Sequence, residues 1–186
     1  MHLIEGMKAN LDRLPPFAPE EGLIHAIVET PKGSGVKYTY RPEHGLFHLK
    51  KALPMGMVFP FNFGFVPSTL AEDGDPLDVL ILNDEAIPPG CLVMVKAVGV
   101  IEAEQSDGEK KNRNDRVVGA ASLEGRPDGE PLDESTWREI EAFFVSYNQR
   151  AGKKFKVLGR GGAKKAAGIV RQAAKAFRKK SKSAKK

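Results

Sequence analysis

Between Leu23 and Ser122 the chain alternates short apolar runs with clusters of Gly, Pro and Asp; from Asp133 onward the apolar positions recur every three or four residues. The first pattern predicts strands over Leu23–Thr30, Val36–Tyr40, Leu46–Leu49, Leu77–Leu82, Leu92–Ile101 and Arg116–Ser122, each rich in β-branched or aromatic residues. The second predicts two helices. One runs over Asp133–Arg150, with Trp137, Ile140, Phe143, Phe144 and Tyr147 as a core stripe and Asp133 or Ser135 as cap; the other, over Gly161–Lys180, carries an alanine-rich stripe ringed by lysines. Between the third and fourth strands, KKALPMGMVFPFNFGFVPSTLAEDGDPLD reads as one long irregular stretch, and a loop of that length in a small domain is usually functional. Residues 1–22 read as a leader broken by LPPFAPEEG, and the final KKSKSAKK as disordered. Strands followed by helices, without βαβ alternation, predict a small barrel or sandwich with helices packed outside, and five or six strands favour the barrel. The expected organisation is thus a leader (1–22), a barrel domain (23–160), and a basic helix with a Lys-rich tail (161–186).

Composition narrows this picture in three ways. A single cysteine, Cys91, among 186 residues excludes a disulfide framework and suits a reducing, cytoplasmic setting. No run approaches the roughly 20 apolar residues of a spanning helix, and the first residues lack a secretory pattern. Charge is split along the chain: residues 150–186 hold 15 Lys and Arg and no acid, leaving 14 bases against all 24 acids elsewhere, a net −10. Such a tail is expected to find an electrostatic partner, either polyanions contacted non-specifically or the chain's own acidic body, the plainer reading being a solubilising end.

The densest chemical signal is Asp73-Gly74-Asp75-Pro76-Leu77-Asp78. Three carboxylates within six residues repel one another unless cations neutralise them, and a stiff Gly/Pro turn at a strand start suits hard divalent ions. The register of an EF-hand is absent. Weaker signals have plainer readings. LGRGGAKK at 158–165 fails the phosphate-loop pattern and reads as a turn opening a helix. His44 and His48 read as surface residues, Cys91 as a small buried hydrophobe, and the alternating Phe59, Phe61, Phe63 and Phe65 as a barrel plug rather than a base-stacking platform.

Glu29 at a strand end, Lys37, the run Phe59-Pro60-Phe61-Asn62-Phe63-Gly64-Phe65, the D-G-D-P-L-D cluster, and later Phe143-Phe144-x-x-Tyr147 occur in this order. Over roughly residues 23–150 the chain thereby resembles the soluble family I inorganic pyrophosphatases. The resemblance implies a fold that is mainly β with α: a five-stranded OB-type closed barrel flanked by two helices. It implies Mg2+-dependent hydrolysis of pyrophosphate to two phosphates, with Mn2+ as a possible substitute, and a homo-oligomer, commonly a hexamer. Carried over residue by residue, Asp73 and Asp78 resemble metal ligands, and Asp75 the carboxylate that orients or deprotonates the attacking water. Lys37 and Tyr147 resemble phosphate ligands, and Glu29 an outer carboxylate serving a substrate-borne metal.

The family pattern is altered at several of these places. Thr39 replaces a glutamate, Lys51 an arginine, Phe59 and Phe63 tyrosines, and Arg116 a lysine. Gln105 and Asn114 stand where aspartates are expected, Asn114 as a bridging metal ligand, and Asn148 replaces a lysine. Lys51 and Arg116 keep the charge for phosphate binding. Each lost tyrosine hydroxyl removes a bond to a charged group of about 1.5–3 kcal/mol. Two other readings remain: a catalytically impaired homologue that binds metal, phosphate or a partner through the same cleft, and a nucleic-acid-binding module that uses an OB-type barrel, exposed aromatics and the basic tail, against which the acidic cluster would repel a phosphate backbone.

Overall fold

The structure is a computed structural model that describes residues 10–108, 110–123 and 132–183. All six predicted strands form: β1 (Leu23–Thr30) and β5 (Leu77–Leu82) with the predicted bounds, β2 (Val36–Arg41), β3 (Leu46–Ala52) and β6 (Leu92–Asp107) longer at their C-terminal ends, and β8 (Arg116–Ala121) one residue shorter. Three further strands lie where none was predicted. β4 (Asn62–Val66) sits inside the supposed irregular stretch, β7 (Lys110–Arg113) turns back along β6, and β9 (Lys154–Gly162) separates the two helices. All five residues of β4 are buried, so its Phe/Gly run shows no polar alternation; in β9 lysines and glycines dilute the period-two signal of Phe155 and Val157.

The strands β1, β4, β5, β8 and β6 pair in that order, and β6 pairs again with β1, closing the five-stranded barrel. Every contact around the ring is antiparallel except β5 with β8. At 16 residues β6 outruns the barrel, and its free length carries β7 and β9. The hairpin β2–β3 forms a separate two-stranded sheet. Its backbone is tied to β1 by the side chains of two β1 residues: Tyr38 N donates to Thr30 Oγ1 at 3.2 Å and Tyr40 N to Glu29 Oε1 at 2.8 Å.

Two helices cover the barrel. α1 (Glu134–Arg150) is capped by Asp133, whose side chain accepts from Thr136 N at 2.7 Å. It closes an aromatic core of Phe59, Phe63, Phe144 and Phe155, with Phe61 packed against its edge and Phe65 buried beside Tyr40. The phenylalanine run is therefore a plug, as read from its alternation. α2 (Ala163–Ser183) starts two residues later than predicted because β9 continues through Gly162, and it extends into the Lys-rich end. The part of KKSKSAKK up to Ser183 is helical; the expectation of disorder for 184–186 falls outside the described residues. Ala166, Val170 and Ala173 seat α2 against the main core. Part of the leader is also pinned: Leu11 and Leu14 pack beside Ile27, Tyr40 and Phe65, Ser68 N donates to Asp12 O at 2.8 Å, and Phe17 bridges Ile24. The leader expectation for residues 1–9 lies outside the described residues.

Candidate active site

Register, not sequence proximity, assembles the site. A bulge between Val28 and Thr30 leaves Glu29 out of the β1–β4 pairing, and bulges commonly re-aim one side chain where strands meet a ligand. Lys37 pairs with Lys51 across the hairpin, next to a second irregularity in register. In the parallel pair, Val79 opposite Val117 sets Asp78 beside Arg116. The loop carrying Asp73 and Asp75 turns at Gly74, whose φ of 94° favours glycine. Thr69 staples that loop to the barrel, its Oγ1 donating to Val66 O at 2.5 Å and accepting from Leu77 N at 2.9 Å.

Glu29, Lys37, Asp75 and Asp78 thereby line one cavity of about 320 Å3, with Asp12, Thr39, Arg41 and Lys50 around them. Asp73 stands on the same loop, and Asp75 N donates to its Oδ1 at 3.2 Å. Arg116 connects this cavity to a second group. Its Nη1 donates to Asp78 Oδ2 and, at 2.7 Å, to Asn114 Oδ1, while its Nε is buried without a hydrogen-bond partner among the described residues. The guanidinium lies 4.6 Å from the Phe144 ring centroid and 5.8 Å from that of Phe63, whose ring also faces Lys37 Nζ at 4.6 Å. Lys51 Nζ sits 4.2 Å over Tyr147, and Tyr147 packs on Phe59 at 5.8 Å.

The charges are tuned by their surroundings. Burial pushes Glu29 up to about 7, against the pull of Lys37 and of the bond from Tyr40 N. Burial holds the Lys37 ammonium below its ordinary value, although Asp78 and Glu29 oppose the shift. Lys51 is lowered too, by burial and then by Lys50 and Lys153. Asp73 is raised by loss of water around its carboxyl, with Asp78 and Asp75 adding like-charge repulsion. Burial raises the Tyr147 phenol to about 12, so it remains a donor at neutral pH.

Most of the residues expected from the sequence thus meet in one region. Asn114 is buried, and both ends of its amide face protein: Oδ1 accepts from Arg116 and Nδ2 donates to Gln105 Oε1 at 3.2 Å. That arrangement ties Asn114 to Arg116 and uses one of the two lone pairs of its Oδ1. Asn148 is buried and donates to Phe144 O at 2.9 Å within α1, away from any phosphate role. The plainer readings meet two corrections: LGRGGAKK is no turn, since strand β9 runs through Gly162 directly into α2, and Cys91 is only half-buried, although it packs against the main core. His44 and His48 are exposed. Sequence reading missed Asn62, which is fully buried. Its Oδ1 accepts from Lys32 N at 3.0 Å and Ile87 N at 2.8 Å, and its Nδ2 donates to Glu85 O at 3.0 Å, so it ties together the loops behind the hairpin. The only signal for it was a polar residue inside an aromatic run.

Among the described residues no three His, Cys, Asp or Glu side chains stand close enough to form a ready-made metal cage. The donor set nevertheless fits magnesium: every candidate ligand offers an oxygen, from the carboxylates of Asp73, Asp78 and Glu29 or the amide of Asn114, and Mg2+ binds through one or two carboxylates, waters and substrate phosphates rather than an all-protein cage.

Comparison with known proteins gives the same direction. A family model for inorganic pyrophosphatase matches residues 26–178. An inorganic pyrophosphatase from Thermus thermophilus is 38% identical over 153 residues, covering 80% of this chain and 85% of that protein. One from Sulfolobus acidocaldarius is 33% identical over 171 residues, covering 88% and 96%. The crystal structure of inorganic pyrophosphatase from Thermus thermophilus superposes with a TM-score of 0.81 at 35% identity, covering 91% of this chain and 99% of that one. With the family model spanning most of its length and relatives of this identity covering four fifths of it, the chain belongs to the family I inorganic pyrophosphatases.

Proposed function

We propose that this protein hydrolyses inorganic pyrophosphate to two phosphates with the help of Mg2+, Mn2+ being the alternative ion. The observation that carries the reading is the convergence of Lys37, Asp75, Asp78 and Glu29 on one cavity, with Arg116 anchored to Asp78 at its edge. Asp73 and Asp78 supply carboxylate oxygens for the cation, with Glu29 at the substrate-facing side. A divalent cation held there would supply positive charge to the phosphoryl oxygens and acidity to water. Asp75, on the exposed lip of the loop, is the carboxylate that orients the attacking water and accepts its proton. Lys37 and Arg116 hold phosphate oxygens. Lys51 and Tyr147, stacked on each other, serve the departing phosphate, the phenol as a neutral donor.

The replaced positions fit this reading. Phe59 and Phe63 are each about 2% exposed, and in that setting a phenol would need a buried partner, whereas the Phe63 ring here faces two of the cations. Asn114 acts as a positioning residue for Arg116. Nothing in the geometry favours a silent homologue over an enzyme. The same reading extends to a cytoplasmic setting, a hexameric assembly and a basic C-terminal segment in contact with polyanions. No described helix is long and apolar enough to cross a membrane.

The deciding assay is phosphate release from magnesium pyrophosphate by the protein and by Asp75→Asn. Loss of the proton acceptor should lower the rate by about 100-fold or more. Equal rates in the two proteins would overturn the assignment.

A further inference from the structure

α2 carries its cations in register. Lys164, Arg171, Lys175, Arg178 and Lys182 follow one another at intervals of seven, four, three and four residues. At about 3.6 residues per turn these intervals place all five on one narrow stripe. The opposite side of the helix, Ala166, Val170, Ala173 and Ala174, is buried against the barrel, so packing fixes the stripe outward and all five cations are exposed. The row is about 27 Å long at about 1.5 Å per residue. α2 contains no acidic residue. Among the described residues none of the five is in an ion pair; Lys165, off the stripe, pairs with Glu102.

We propose that this stripe binds the phosphate backbone of double-stranded nucleic acid without sequence preference. The proposal deepens the polyanion contact stated above and does not depend on the chemistry of the cleft. A straight, rigid row of cations matches a stiff duplex, which presents a negative charge about every 1.7 Å along its axis, so no particular register is needed. A membrane surface fits less well, because a helix that lies in the interface inserts an apolar face, and here that face is spent on the barrel. Single strands fit less well too, since they are held by exposed aromatic platforms. The one aromatic of α2, Phe177, is half-buried and sits 5.2 Å from the Arg13 guanidinium. Pyrophosphate is the by-product of nucleotidyl transfer, so a hydrolase held on a duplex would meet its substrate where that class of reaction releases it.

The test is fluorescence anisotropy of a labelled duplex of about 20 base pairs, titrated with the full chain in EDTA between about 50 and 200 mM salt. Five phosphate contacts predict a slope of log K against log salt of about −4.5. Arg171→Gln/Lys175→Gln should weaken binding and flatten that slope by about two, with far-UV circular dichroism and pyrophosphate hydrolysis unchanged. Lys110→Gln/Lys111→Gln, which removes the same charge from exposed lysines on β7, should leave binding within twofold. Equal losses in the two double variants would overturn the stripe while leaving a diffuse polyanion contact. No binding by the unaltered chain would overturn both, and tighter binding to vesicles of anionic phospholipid or to linear polyphosphate would overturn the choice of partner.

Discussion

Glu29 shows how one residue joins folding to chemistry. The bulge that frees it from the β1–β4 ladder turns its carboxylate toward Lys37, and Tyr40 N donates to it from the hairpin. Burial raises it from 4.5 to about 7. Between those values the folded chain keeps a proton that the unfolded chain has lost, so the contribution of this group to stability falls as pH rises through that window. A shift of this size corresponds to at most about 3.5 kcal/mol. Thermal denaturation in a chelator should therefore show a midpoint that declines between about pH 4.5 and pH 7. Glu29→Gln should remove that part of the decline, and parallel curves for the two proteins would contradict the assignment. At Phe63 the same economy holds: its ring plugs the core and faces both Lys37 and Arg116.

At the scale of elements, the site depends on backbones that approach closely. The parallel pairing of β5 with β8 brings Asp78 and Arg116 together across 38 residues of chain. β4, which separates β1 from β5, contributes Gly64, where an added Cβ would lie 1.9 Å from Ile27 O. No rotamer relieves a contact with backbone, so Gly64→Ala should destabilise the protein by about 3 kcal/mol, read from its denaturant midpoint. Because Glu29 lies two residues beyond Ile27 on β1, we expect the same change to lower pyrophosphate hydrolysis in the fraction that stays folded. An unchanged midpoint would mean that the β1–β4 crossing is looser than described.

For the whole molecule, the basic end shares the main core of the acidic body through α2. Val170 of α2 is fully buried in the main core, while Trp137 of α1 packs against the aromatic core on the other helix. Val170→Ala leaves a small cavity and should cost about 2 kcal/mol. If the basic end and the body form one cooperative unit, Trp137 fluorescence and far-UV circular dichroism will shift together in one transition. A Trp137 transition that stays in place while helix signal is lost earlier would show that α2 folds apart from the barrel.

The six apolar runs, both helices and the D-G-D-P-L-D signature were legible in the sequence because each is a local pattern: period two or 3.6, a cap, a turn, a carboxylate cluster. β4 and β9 were not, since a strand buried on all sides or diluted by lysine and glycine carries no alternation, and only pairing with β1, β5 and β6 defines it. The same division runs through the site. Residue types and order named Asp73, Asp75, Asp78, Lys37 and Glu29. Their tertiary neighbours decided that Asn114 braces Arg116, that Asn62 is a buried tie, and that the C-terminal cations face outward in a row. Hydrogen-bond partners and burial depend on residues distant in the chain, so composition and spacing do not contain them.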